Sequence, residues 1–294
     1  MQKTDSDSQS KFLNLGCGST FHPSWRNLDV SPSSEEIQLW NATHGIPFDS
    51  SSVDVVYHSH LLEHLEATEG QKFLVECFRV LKTGGILRVV VPDLEDICKA
   101  YLSVLDRMEK GDASAEFDAE WMRLELYDQT TRRRSGGKML EYLRSKPVNK
   151  SFIIERCGEQ VSPILNSTDM TSVNNLTLTT IPIHLKCKLA LRNLFSKNWL
   201  KEKFIRYILG EEDHHSLQNG RFWASGEGHK HMYDRFSLAK LLREVGFSSV
   251  KTVNANESKI AGWSEYSLDF TSSGYPRKPD SLYMEAYKPK SPTY

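Results

Sequence analysis

The chain has 294 residues, 37 Lys and Arg against 38 Asp and Glu, and a formal net charge of −1. That length buries a substantial core and suits one enlarged domain, or one domain with a sizeable insertion. A balanced charge gives no electrostatic argument for a nucleic-acid partner. The longest apolar run, Val89 to Val91 before Pro92, is far too short to span a bilayer.

Residues 1–10 are polar and are expected to be disordered. The run Phe12-Leu13-Asn14-Leu15 reads as a buried strand that leads into Gly16-Cys17-Gly18. Glycines there allow a tight turn and let a ligand lie against the backbone with no Cβ in the way. Asn27–Val30 is the second strand, and the eleven residues before it leave room for a turn or two rather than a full helix. Asp29 ends that strand and is placed to accept both hydroxyls of a ribose, with a turn cap as its plainer role. Glu36–Trp40 and Val53–His58 are the third and fourth strands.

Thr68–Leu81 is the clearest helix, because Phe73, Leu74, Cys77, Phe78 and Leu81 form one apolar face. Thr83-Gly84-Gly85 is expected to end it. Ile86–Val91 is the fifth strand, and a further helix runs from Asp93 toward Glu109. Alternation of strand and helix predicts a doubly wound parallel sheet. From 111 to 225 the pattern becomes polar and helical, including Lys186–Leu209, and reads as a mainly helical insertion after the fifth strand. The sheet resumes with a helix over Ser237–Val245 and strands over Ser248–Val253 and Ser281–Tyr287.

The five cysteines, 17, 77, 98, 157 and 187, are odd in number, widely spaced and contain no CxxC pair. They read as free thiols of a reducing compartment. The N-terminus lacks the apolar core of a signal peptide, so the expected location is cytoplasmic.

The order Leu13-Asn14-Leu15-Gly16-Cys17-Gly18, Ile46-Pro47-Phe48, Val53-Asp54-Val55-Val56-Tyr57, Leu62-Glu63-His64-Leu65, Arg79-Val80-Leu81-Lys82-Thr83-Gly84-Gly85 and Val91-Pro92-Asp93-Leu94-Glu95 resembles the class I S-adenosylmethionine-dependent methyltransferases. The likeness is to a bacterial group linked to polysaccharide or secondary-metabolite assembly. It is close over residues 11–97 and looser over 226–288. It implies a Rossmann-like α/β core, a doubly wound mostly parallel sheet over 11–110 and 226–294, with the final strand antiparallel. The insertion at 111–225 then forms a cap that binds the acceptor.

The implied cofactor is S-adenosylmethionine, leaving as S-adenosylhomocysteine. Its expected contacts begin at Asn14, Gly16, Cys17 and Gly18. Asp29, Val30, Asn41, Ala42, Ser59 and His60 complete them; core packing is the alternative for Val30 and Ala42. Two positions depart from the group: Asn14 stands where many relatives are acidic, and Thr20 replaces a glycine. Asn14 therefore offers the cofactor's ammonium no charge.

Methyl transfer needs alignment, exclusion of water and often a base. Histidine has the pKa range for that base. The candidates are His60, His229 and His231, the last two in Gly226-Glu227-Gly228-His229-Lys230-His231-Met232-Tyr233-Asp234. His214, His215, His229 and His231, with Glu211, Glu212 and Asp213, offer a divalent metal site as a rival reading of the histidines, but their spacing matches no recognised ligand pattern and no metal is assigned. Trp223, Trp263 and Tyr266 are aromatic candidates for the acceptor pocket.

The expected activity is methylation of a small-molecule or glycan-type acceptor, most simply at a hydroxyl oxygen. An amine acceptor and a non-catalytic binding protein are the alternatives. No nucleic-acid or membrane partner is expected; a homodimer is compatible with the sequence.

Overall fold

A computed structural model describes residues 11–167 and 197–290. One sheet holds β1 (Phe12–Leu15), β2 (Arg26–Asp29), β3 (Ile37–Leu39), β4 (Val53–Ser59), β5 (Leu81–Pro92), β6 (Ser248–Val253) and β7 (Ser281–Tyr287). The strand order is β3-β2-β1-β4-β5-β7-β6. β7 runs antiparallel to both neighbours, and the remaining pairs are parallel. The chain reverses at β1 and crosses to β4, so a crevice opens outside the carboxyl ends of these two strands.

Period-two alternation sorts the apolar strands onto two faces. Leu13, Leu15, Leu87, Val89, Val91, Leu282, Met284 and Ala286 lie under α1 (Ala67–Val80) and α8 (Arg235–Val245), packed on Phe73, Leu74, Cys77, Leu238 and Leu242. Each such fully buried side chain contributes about 1.5–3 kcal/mol by leaving water. Val55, Tyr57, Val90 and Tyr283 face the other way, against Trp25, Trp263, Leu268 and Phe270. That second face is covered by the segment after β6, which contains the short α9 (Trp263–Tyr266), rather than by a long helix.

The β1–β2 crossover contains no helix. Two buried amides hold it instead. Asn14 Nδ2 donates to Thr20 O at 3.1 Å and to Asn27 Oδ1 at 3.2 Å, while Asn27 Nδ2 donates to the carbonyls of His22 and Trp25 at 3.0 Å each. These bonds satisfy backbone groups that a crossover helix would otherwise have paired.

α1 begins at a capping box in which Glu66 and Glu69 each bond the other's backbone N–H, but it ends at Val80, earlier than the glycines predict. Leu81 already pairs with Val53 of β4, and β5 runs through Gly84 and Gly85. A Cβ on Gly85 would stand 2.9 Å from Lys82 O and 3.0 Å from Asp54 O. Gly85 therefore serves a close backbone approach inside the strand, and Gly84 a φ of +80° there, not a helix terminus.

After β5 the chain forms α2 (Leu94–Glu109), α3 (Ala115–Thr131), α4 (Gly137–Arg144), α5 (Lys150–Cys157), α6 (Ser162–Asn166) and α7 (Lys197–Ala224), the last interrupted at Gly210. Ile97 and Val104 of α2 pack with Trp121, Met122, Leu143 and Ile153 in a core separate from both sheet faces. Arg156 ties this unit together, reaching Asp96 at 2.7 Å and Glu125 at 2.6 Å. Of the apolar face expected within Lys186–Leu209, Leu189, Leu191, Leu194 and Phe195 lie outside the described residues, and Phe204 and Ile208 are exposed rather than packed. The chain returns at Tyr233, whose carbonyl accepts from Leu94 N–H at 2.9 Å, and α8 starts on an Asp234–Ser237 capping box. Among the described residues, Cys17, Cys77, Cys98 and Cys157 are free thiols, and no helix is long and apolar enough to cross a membrane.

Candidate active site

A cavity of about 610 Å³ opens at the carboxyl ends of β1 and β4 on the second face of the sheet. That size lies within the ordinary range for a small-molecule site. Asn14, Gly16, Cys17, Gly18, Ser59 and His60 line it, as do Glu159 and Gln160 from the helical insertion. The segment after α9 completes the wall with Leu268, Asp269, Arg277 and Lys278.

Gly16 and Gly18 take φ of +66° and +53°, where a side chain is disfavoured. A Cβ on Gly16 would press on Leu61 at 3.0 Å, whereas one on Gly18 would meet nothing within 4 Å. Gly18 thus presents bare backbone to open space, a cradle suited to a nucleoside-bearing ligand. Its N–H donates to Asp29 Oδ2 at 2.8 Å, and Ser31 N–H donates to Asp29 Oδ1 at 2.8 Å. Each carboxylate oxygen keeps a free lone pair for a hydroxyl donor.

Asp29, Val30, Asn41 and Ala42 are not part of the cavity wall. Val30 is exposed, Ala42 packs against the core, and the Asn41 side chain accepts from Thr43 N–H and Oγ1 at 2.9 and 2.8 Å. Asn14 lines the wall, but its amide nitrogen is committed to Thr20 and Asn27. Trp223, Trp263 and Tyr266 do not line the cavity; Trp263 is buried with its ring 4.4 Å from the Arg88 guanidinium carbon.

His60 follows β4 directly with φ +52°, an uncommon conformation for a histidine, held by its N–H to Val90 O at 2.9 Å. Its ring spans two partners: Nδ1 stands 3.1 Å from Glu63 Oε1 and Nε2 stands 3.0 Å from Ser281 Oγ. Burial, and next the Lys278 charge, pull the His60 pKa down, while Glu63 opposes them. Burial pushes Glu63 up, but the bond from the His60 imidazole, and the charges of His60, His64 and His229 when protonated, outweigh it and hold the carboxyl at about 2. His60 is therefore a largely neutral imidazole at pH 7 backed by a carboxylate.

His229 is buried and its ring lies edge-on to His64, with centroids 4.8 Å apart. Burial lowers its pKa to about 3. Its N–H donates to Gln129 O at 2.9 Å, while the N–H groups of Lys230 and His231 reach Glu63 O at 2.8 and 3.2 Å. The 229–231 segment is thus docked on Glu63, behind His60 rather than in the cavity wall. Glu63, His64 and His229 are the grouping of metal-capable side chains among the described residues, with donor atoms within 4.8 Å of one another. His64 Nε2 stands 4.0 Å from Glu63 Oε1, wider than the ~3.4 Å between ligands of a tetrahedral zinc. His214 and His215 stand apart on α7, where His214 Nε2 lies 3.4 Å from Glu202 Oε2 and His215 Nδ1 3.1 Å from Asn219 Nδ2.

Three residues of the site carry no assigned role from the sequence. Arg88 is fully buried in β5 and donates to Asp269 Oδ2 at 2.7 Å, Glu285 Oε1 at 2.8 Å and the carbonyls of Asn254, Ala255 and Glu257. Asp269 also accepts from Tyr57 Oη at 2.5 Å, which fixes the cavity's far wall. Lys278 faces the cavity with a pKa lowered by burial. The available signal was a lone arginine inside the apolar run Ile86–Val91, opposite Glu285 in the β7 register.

A mostly parallel sheet of this order, with a glycine turn over a cavity at the strand ends, has the architecture of a class I methyltransferase. Residues 13–89 match the family model described as a methyltransferase domain. The chain is similar to a solved S-adenosylmethionine-dependent methyltransferase of Archaeoglobus fulgidus, at 10% identity over 96% of this chain and 87% of that one, TM-score 0.37. It is similar to a Thermotoga maritima methyltransferase at 10% identity over 95% and 82%, TM-score 0.34. A structure of a Haloferax volcanii methyltransferase complex with the activator Trm112 matches at 11% identity over 95% and 83%, TM-score 0.36. No curated protein matches the chain.

Proposed function

We propose that this protein methylates a hydroxyl oxygen of a small-molecule or glycan-precursor acceptor, with His60 as the general base. The observation that carries the proposal is the placement of His60 in the wall that also holds Gly16 and Gly18, with Glu63 behind its Nδ1. When bound, S-adenosylmethionine supplies a methyl group already activated on a sulfonium sulfur. Gly16, Cys17 and Gly18 would bind it by backbone approach, and Asp29 would take its ribose hydroxyls. Ser59 lies beside His60 in the same wall.

Glu63 would orient the His60 ring through Nδ1, and Nε2 would accept the acceptor's hydroxyl proton once it exchanges its contact with Ser281 Oγ for one with the acceptor. His229 and His231 enter the proposal as the segment that fixes Glu63 from behind. Glu159 and Gln160 bring the insertion into the wall, which supports its reading as an acceptor cap. The four free thiols among the described residues are compatible with a cytoplasmic setting.

The test is transfer of labelled methyl from S-adenosylmethionine to sugars, phenols and amines at pH 7. Product with sugars or phenols supports the proposal; product with amines alone replaces it with nitrogen methylation. A second reading, a binding protein without turnover, draws on Asn14, whose amide nitrogen is spent inside its own loop. Cofactor binding without product from any acceptor class would favour that reading.

A further inference from the structure

The triple Arg132-Arg133-Arg134 has no part in the site above, yet it does not lie on an open face. A second cavity of about 570 Å³ lies between α3, the start of α4 and α7, and Arg123, Arg132, Arg133, Arg134 and Lys138 line it together with Tyr127. Its one lining carboxylate is already engaged. Asp128 accepts from the N–H groups of Lys138 and Met139 at 2.7 and 3.4 Å and faces Arg132 Nη2 at 3.4 Å. Arg134 pairs with Glu141 outside the cavity wall.

Arg123, Arg133 and Lys138 form no ion pair among the described residues. Of the other described arginines, Arg79, Arg88, Arg107, Arg156, Arg206, Arg221 and Arg235 are paired, while Arg26, Arg144, Arg243 and Arg277 are not and do not gather at this cleft. In a chain of net charge −1, the unpaired cations gathered here make a local positive field. Guanidinium forks match phosphate oxygens in pairs, and a lysine adds a point charge. Tyr127 leaves most of its ring exposed (64%) at the same cleft, a face on which a base or sugar can lie.

The cleft adjoins the histidine network. Asp128 and Arg132 flank Gln129, whose carbonyl holds the His229 N–H, and the Arg132 charge reaches His229.

We infer that this cleft binds the phosphate or diphosphate group of a phosphorylated acceptor, with the attached ring on Tyr127. The identity of that ligand as the acceptor rests on the methyl-transfer reading; the binding of phosphate does not. Inorganic pyrophosphate is the probe, titrated calorimetrically into the full chain saturated with S-adenosylhomocysteine, at constant ionic strength. The expected Kd is on the order of 0.1 mM, weakened at least about tenfold in an Arg133→Ala/Lys138→Ala variant. Both side chains are exposed, so the fold should tolerate the change. S-adenosylhomocysteine affinity should be the same in the variant and the parent.

Three results would overturn the inference: no heat from pyrophosphate at roughly 5 mM with or without S-adenosylhomocysteine, unchanged affinity in the double variant, or pyrophosphate binding seen only when S-adenosylhomocysteine is left out. The last would put the anion at Arg277 and Lys278 in the first cavity. Failure of methyl transfer with intact pyrophosphate binding would count against the activity reading alone.

Discussion

His60→Asn is expected to lower turnover by roughly 10²–10⁴-fold, the usual contribution of a positioned base. Asparagine suits the test because it tolerates the positive φ that residue 60 adopts, so the backbone turn survives without the imidazole. S-adenosylhomocysteine affinity should change far less, by under about tenfold, or 1.4 kcal/mol. A loss confined to affinity, with turnover at saturation unchanged, would remove His60 from the base role. pH gives an independent reading. Burial and Lys278 place the His60 pKa below its ordinary 6.5, so the parent's activity should hold through pH 6.5 and fall only on further acidification. Glu63 opposes that depression, so Glu63→Gln should move the acid limb still lower while reducing turnover. An acid limb that stays in place would mean that Glu63 does not act through His60.

Arg88→Met should be the most destabilising single change outside the apolar core. Arg88 is fully buried, its guanidinium is matched to two carboxylates and three carbonyls, and it lies against the Trp263 ring. Removing it strands Asp269 and Glu285 in a dry interior, a mechanism that costs about 3–5 kcal/mol. For a chain of this size that corresponds to a fall in Tm on the order of 5–8 °C. Arg88→Lys keeps the charge but not the fork, and should lose part of that amount. Asp269 and Tyr57 line the cavity, so cofactor affinity should fall with stability. Thermal unfolding checks the first claim, and a Tm within 1 °C of the parent would contradict it.

The parts of the fold legible in the sequence were those with strong local signals. Apolar runs marked the central strands, and the face of Phe73, Leu74 and Cys77 marked α1. The end of α1 was placed within one residue, but the reason given for it was not the one in the structure, because Gly84 and Gly85 resemble a helix stop. Gly85 is needed for its close approach to Lys82 O and, across the sheet, to Asp54 O, and the second of these contacts is invisible in a local pattern. The helix-free β1–β2 crossover was legible from its length, whereas the paired amides of Asn14 and Asn27 that hold it were not.

At the site, Gly16, Gly18 and His60 could be found from position alone, because residues that follow parallel strands meet at the crevice. The Glu63 partnership could not: nothing local marks Glu63 as a partner of His60 before the 229–231 segment docks on it. Arg88, Asp269 and Lys278 meet only through tertiary packing of segments some 180 residues apart, with Arg88 and Asp269 separated by 181 positions.

The central claim is that the glycine turn and Asp29 hold S-adenosylmethionine, and calorimetric titration of the purified chain with S-adenosylhomocysteine tests it most directly. The account predicts a Kd on the order of micromolar for the parent and at least about hundredfold weaker binding for Asp29→Ala, which loses the ribose acceptor and the Gly18 tether together. Equal affinity in the two proteins, or no binding by the parent at millimolar ligand, on the order of −4 kcal/mol, would contradict it.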